Sequence, residues 1–155
     1  MPRTIIFSVG IPIPHPDVEF VQLTQRQSLL DADLVIFCPH YWDFPTTENF
    51  EGRPCFGKSP SFAVRDVHAH WKHQLQLAVE AGRVIIVLLL EIDERFAYTG
   101  KHEFSGTGRN QKVTNIVEAV SNLNMCHFLL QKSRIPAERE LYLKKILNRS
   151  KSIMV

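Results

Sequence analysis

The chain has 155 residues, 45% of them hydrophobic, and a formal charge of +2. That length suits one domain with a real core, here 1–155, and leaves little room for two. The near-balance of charge gives no reason to expect a nucleic-acid partner, and no apolar run reaches the roughly 18 residues of a membrane span, so no membrane partner is expected.

Residues 4–9, "TIIFSV", are β-branched and apolar and predict a buried first strand rather than a signal peptide. "GIPIPHPD" follows, a proline-rich loop that cannot be helix. Residues 18–23, "VEFVQL", predict a second strand, and residues 25–30 a short helical turn. "LVIFCP", 34–39, is a short apolar run of the kind buried on both sheet faces. Residues 39–60 form the longest irregular stretch, with four prolines and two glycines; loops of that length are usually functional or mobile.

A helix is predicted over 61–81, because Val67, Trp71, Leu75 and Ala78 recur at helical spacing and Gly82 stands where helices stop. "RVIIVLLLE" is the clearest strand. A second long loop is expected over 92–111. Val113, Ile116, Val117 and Val120 predict a helix over 113–120, and "CHFLL", 126–130, a last strand. Leu141, Leu143, Ile146 and Leu147 predict an amphipathic terminal helix over 137–149. Its basic surroundings, seven basic and two acidic residues in 132–155, suit a solvated face.

Alternating strands and helices around uniformly apolar runs predict an α/β fold. The expected form is a three-layer sandwich with a mostly parallel central sheet, flavodoxin-like or Rossmann-like. The alternative is an α+β fold in which residues 4–23 form a hairpin. Cys38, Cys55 and Cys126 lie far apart with no C-x-x-C spacing, which points to free thiols and a cytoplasmic location.

"GRPCFGKS", Gly52 to Ser59, matches the phosphate-loop pattern G-x-x-x-x-G-K-[ST] letter for letter. Its context does not fit. No strand is expected directly before Gly52, Pro54 removes an N–H donor, and Pro60 biases Ser59 away from helical angles. A milder reading keeps Lys58 and Arg53 beside a helix N-terminus capped by Ser59 or Ser61, with Asp66 in its first turn, as an anion site.

His70 and His73 share a helix face, but two ligands do not make a metal site, and His68 points elsewhere. Solvated histidines and no metal are expected. Cys38 reads as a buried thiol and Cys55, in a loop near Arg53 and Lys58, as the more reactive one. In a parallel sheet, the loops after residues 9, 38 and 90 share one edge, where ligands of open α/β sheets bind. This predicts a neighbourhood of His15, His40, Tyr41, Asp43, Lys58, Glu91 and Arg109, the last from "GTGR" before an expected helix. No motif names a cofactor.

"SLLDADLVIFCPHYWDF" followed by "LQLAVEAGRVIIVLL" resembles the class I glutamine amidotransferase-like superfamily. There an aspartate and apolar strand lead into a loop, and a glycine-ended helix feeds the next central strand. The resemblance implies a flavodoxin-like sandwich. The family's nucleophile motif, a cysteine or serine between glycines, is absent after "RVIIVLLLE", and no His-x-Glu pair follows, so amidotransferase activity is not implied.

The leading functional expectation is a binding or sensory domain for a nucleotide, sugar phosphate or other anionic small molecule. Arg53, Lys58, Ser59 and Arg109 would hold the anion, His15 and His40 would line the site, and Tyr41 and Trp42 would offer stacking surfaces. The second is a hydrolase of a nucleotide or glycosidic bond using Asp43, Glu48 or Glu91 as acid or base. The third is a protein-interaction subunit anchored by "HYWDF".

Overall fold

The computed structural model describes residues 4–132 and shows a mixed α/β fold built on two four-stranded sheets. The first is all parallel, in the order β2 (Val18–Val21), β1 (Ile6–Val9), β3 (Leu34–Phe37), β6 (Val84–Val87). Because β1 and β2 run parallel, residues 4–23 are not a hairpin. The second sheet is mixed, in the order β4 (Glu48–Phe50), β5 (Arg53–Cys55), β7 (Glu94–Ser105), β8 (Lys112–Ser121).

Strand pleating turns Phe7, Val9, Val21, Val35 and Phe37 to one face, where they are buried. Helix α1, Lys58–Glu80, covers that face with Val64, Trp71, Leu75 and Ala78. It ends as its sequence predicts. Gly82 takes φ +73, its N–H bonds to Val79 O at 3.0 Å, and Arg83 N–H reaches Ala78 O at 2.9 Å. This is the Schellman arrangement that satisfies last-turn carbonyls.

The opposite face is only partly covered. Ser8 is fully buried there, its hydroxyl donating to Ile11 O at 2.6 Å, so the loop after β1 lies over it. Val84 and Ile86 remain 59% and 45% exposed. Among the described residues, no helix forms a second covering layer over them. The terminal helix expected over 137–149 lies outside the described residues.

Several expected elements differ. Residues 25–30 are not helical; α1 pins this segment instead, with Trp71 Nε1 donating to Leu23 O at 2.7 Å and Leu29 N–H donating to Gln74 Oε1 at 3.1 Å. The long loop over 39–60 contains the β4–β5 hairpin. Its turn is Glu51–Gly52, both left-handed at φ 50 and 76. The second expected loop is largely strand β7. The helix expected over 113–120 is strand β8: its valines and isoleucine imitate helical spacing, but β-branched residues favour a pleated ladder once β7 is beside them. "CHFLL" is not a strand. A 3-10 turn, Asn122–Met125, leads into the short helix α2, His127–Lys132.

Gly10 marks where β1 and β3 end together. Its φ is +83, and a Cβ there would stand 2.3 Å from Cys38 O. Left-handed backbone and overlap with a fixed carbonyl add, so Gly10→Ala is expected to cost about 2–4 kcal/mol. Urea denaturation of the two proteins measures it, and a difference below about 1 kcal/mol would show that the junction relaxes.

Candidate functional site

The carboxyl edge of the parallel sheet does bring His40, Tyr41, Trp42 and Glu91 together, but it fills the crevice with them. His40 is 3% exposed. Its Nε2 donates to Gly10 O at 2.7 Å, and its Nδ1 accepts from Trp42 N–H at 3.2 Å, so both ring nitrogens are committed. Trp42 stacks on the same imidazole at 4.3 Å and donates its indole N–H to Glu91. Beneath them Cys38 is a buried thiol, pushed up in pKa by burial and then by Glu91, which leaves it protonated and inert.

A second layer stands behind this edge. Tyr41 is fully buried and shares a 3.0 Å hydrogen bond with His68 Nε2. Burial, and to a lesser degree Asp93, holds the Tyr41 phenol well above its ordinary range, so it stays protonated. Arg95 lies over the rings of Tyr41 and Phe56 at 5.6 and 5.4 Å. Its Nε contacts both Asp93 carboxylate oxygens at 3.1 and 3.0 Å, and it also donates to Asp93 Oδ2 through NH2 and to Thr46. Its charge is consumed within the fold.

Other predicted residues are dispersed. His15 sits before β2, at the amino end of the strands, near Asp17. Asp43 is exposed in the turn that follows Trp42. Glu48 accepts from the Tyr98 hydroxyl and lines a polar groove with Thr46, Asn49, Asp93 and Arg95 that contains neither Asp43 nor Glu91. Arg53 is on β5 over Phe96 at 5.9 Å. Arg109 is at the far tip of the β7–β8 hairpin, in the 3-10 turn Gly108–Asn110 and not before a helix.

The phosphate-loop letters do not form a phosphate loop. Gly52 belongs to a hairpin turn, residues 53–55 are a strand, and only Gly57, Lys58 and Ser59 meet a helix start, Ser59 as the second residue of α1. No serine caps α1. Gly57 is the N-cap, while Ser61 sits a turn inside, donates to Gly57 O at 2.8 Å and accepts Tyr98 N–H at 2.9 Å. Asp66 lies beyond the first turn and pairs with Arg26 at 3.5 Å. Cys55 is buried, and burial followed by Glu48 raises its pKa, so it is not a reactive thiol. His68 and His70 are not simply solvated, since His70 Nε2 meets Gln27 O at 3.2 Å.

An open concavity that retains a predicted ligand residue lies elsewhere. A cleft of about 190 Å³ between the first turn of α1 and the base of the β7–β8 hairpin is lined by Lys58, Phe62, Tyr98, Gly100, Lys101, His102 and Asn115. Gly100 faces the Phe62 ring, and its φ of +78 is the left-handed backbone that favours glycine there. The hydrogen bond to Glu48 pushes Tyr98 up to about 12, so its phenol remains protonated at the rim. Sequence reasoning missed the hairpin residues. The available signal was a pair of β-rich stretches, "RFAY" and "KVTNIV", flanking a glycine-rich turn.

Among the described residues, no three His, Cys, Asp or Glu side chains group as a metal site, and no helix is long and apolar enough to cross a membrane. Comparison with known proteins finds no matching family model, no matching curated protein and no matching solved structure.

Burial pushes His68 down to about 4 from its ordinary 6.5. The imidazole is neutral in the fold, so its contribution is fully present above about pH 6.5 and is lost as pH falls toward 4, where the unfolded chain takes up the proton first. About 3 kcal/mol is expected to disappear across that window. His68→Gln should flatten the pH dependence of urea stability there, and equal slopes in both proteins would remove His68 as the cause.

Proposed function

We propose that this chain is a binding domain for an anionic, ring-bearing small molecule, with a nucleotide or sugar phosphate as the fitting class, held in the cleft at the start of α1. The observation that carries this reading is the composition of that cleft: Lys58 and Lys101 supply charge, Phe62 and Tyr98 supply ring faces, and His102 and Asn115 supply polar contacts. Few polar groups on an otherwise apolar lining is the usual make-up of a small-molecule site. Lys58 is the first residue of the 23-residue α1, so the amino end of that helix borders the cleft, with the Glu48 carboxylate beside its N-cap Gly57.

The finer fold assignment belongs to the same proposal. Parallel order β2-β1-β3-β6 supports a flavodoxin-like sheet, whose usual ligand site is the crevice between β1 and β3. Here that crevice is closed by the His40–Gly10 bond, which favours the α1 cleft instead. Three free, buried cysteines support a reducing compartment such as the cytoplasm. The hydrolase reading draws less support, because Glu48 and Glu91 are each tied to an aromatic donor on a different element. The "HYWDF" anchor reading draws less still, because His40, Tyr41 and Phe44 are buried.

Calorimetric titration with nucleoside monophosphates and sugar phosphates tests the proposal. Lys58→Ala and Tyr98→Ala are expected to weaken binding about tenfold each, the scale of one charge-assisted contact or one hydrogen bond with ring packing. Unchanged affinity in both variants would overturn it.

A further inference from the structure

Beyond residue 99 the β7–β8 hairpin leaves the body of the protein, and every residue from 100 to 114 is exposed. A two-stranded ribbon is marginal by itself in water, yet this one carries Phe104 and Val113 directly opposite each other at 65% and 54% exposure. Pleating places His102 and Asn115 on the same ribbon face as that pair, two positions nearer the body. His102 and Asn115 also line the α1 cleft, so cleft and ribbon face form one continuous surface.

The same segment has a local excess of positive charge: residues 100–114 hold Lys101, Arg109 and Lys112 against one acid, Glu103. Lys112, opposite Ser105, stands on the reverse face of this ribbon, whose strands lie about 5 Å apart, and a lysine stem is long enough to bring its ammonium to the ribbon's edge. The tip is held in shape: Gly106, at φ +82, packs where a Cβ would meet Asn110 O at 2.4 Å, and Gln111 N–H bonds to Gly108 O at 3.3 Å. Arg109 is therefore presented from a formed turn.

From this surface we infer that the hairpin carries a single strand of nucleic acid, one nucleotide of which occupies the α1 cleft. The inference rests on the nucleotide reading of that cleft. Ring faces set among cations are the arrangement that binds unstacked bases and phosphates without reading sequence. A protein-binding surface would instead be depleted of lysine at its centre. The overall charge gave no hint of such a partner because residues 4–99, with seven basic and twelve acidic residues, offset the basic segments that follow.

The test is fluorescence anisotropy with labelled 12-residue oligo(dT) and oligo(U), run beside calorimetric titration with a nucleoside monophosphate. The wild-type chain is expected to bind the oligonucleotides with a log–log salt slope of about −3, the value for four phosphates met by Lys58, Lys101, Arg109 and Lys112. Phe104→Ala should weaken oligonucleotide binding about tenfold and Lys112→Ala should reduce the slope by about 0.7, both leaving monophosphate affinity and Tm unchanged. Monophosphate binding without oligonucleotide binding would overturn the inference and leave the small-molecule reading standing. Failure of both ligands would overturn both. Equal affinity for a duplex of the same length, or oligonucleotide binding indifferent to Phe104→Ala and Lys112→Ala, would overturn the inference alone.

Discussion

The buried amide of Asn122 holds the two sheets at their common corner. Its Nδ2 donates to Pro39 O and to Glu91 O, each at 3.0 Å, and its Oδ1 accepts Asp93 N–H at 3.1 Å. Its own N–H completes the set by bonding to Asp93 O at 3.1 Å. One side chain thus ties the exit of β3, the exit of β6 and the meeting of β7 with β8. These backbone groups have no sheet partners at that point, and each would cost about 1–3 kcal/mol if buried unpaired.

The same corner explains why the usual ligand crevice is closed. Bringing the chain after β3 close enough to meet Asn122 sets Cys38 O against Gly10 and aims His40 at the Gly10 carbonyl. Trp42 then covers His40 and Glu91 covers Trp42. Residues that look functional in a one-dimensional reading are here the packing of a junction. Arg95 makes the point for charge: a cation stacked on two aromatic rings and clamped by Asp93 contributes to order, and little of its field is left for a ligand.

Legibility in the sequence followed locality. The strands 6–9, 34–37 and 84–87 and the stop at Gly82 were readable because short apolar runs and a left-handed glycine act through neighbours in the chain. Strand β8 was not, because Val113, Ile116, Val117 and Val120 satisfy a helical period and only pairing with β7, itself hidden among polar residues, decides between the two. Of the shared edge expected from topology, His40, Tyr41 and Glu91 lie together, while His15, Asp43, Lys58 and Arg109 stand elsewhere. That the edge is filled was not readable, since Asn122 and the fit of Gly10 against Cys38 are long-range facts. "GRPCFGKS" shows the limit most sharply. Its letters are right, but Gly52 spends its left-handed freedom on a hairpin turn, so the backbone N–H groups point into a ladder instead of around an anion.

Helix α1 serves both stability and the proposed recognition cleft. Three side-chain bonds tie α1 to the rest of the fold: Trp71 to Leu23 O, Gln74 to Leu29 N–H, and Ser61 to β7 through Tyr98 N–H. Ser61 bonds to β7 at Tyr98, and the next residue, Phe62, packs beside Gly100 on the same strand. The cleft is therefore formed by rigid elements on three sides, α1, β7 and β8, while the ribbon beyond it is held by its own ladder alone. A rigid foot with an extended arm suits a surface that grips one unit of a chain firmly and tracks the rest loosely, since ordering costs fall only on the arm.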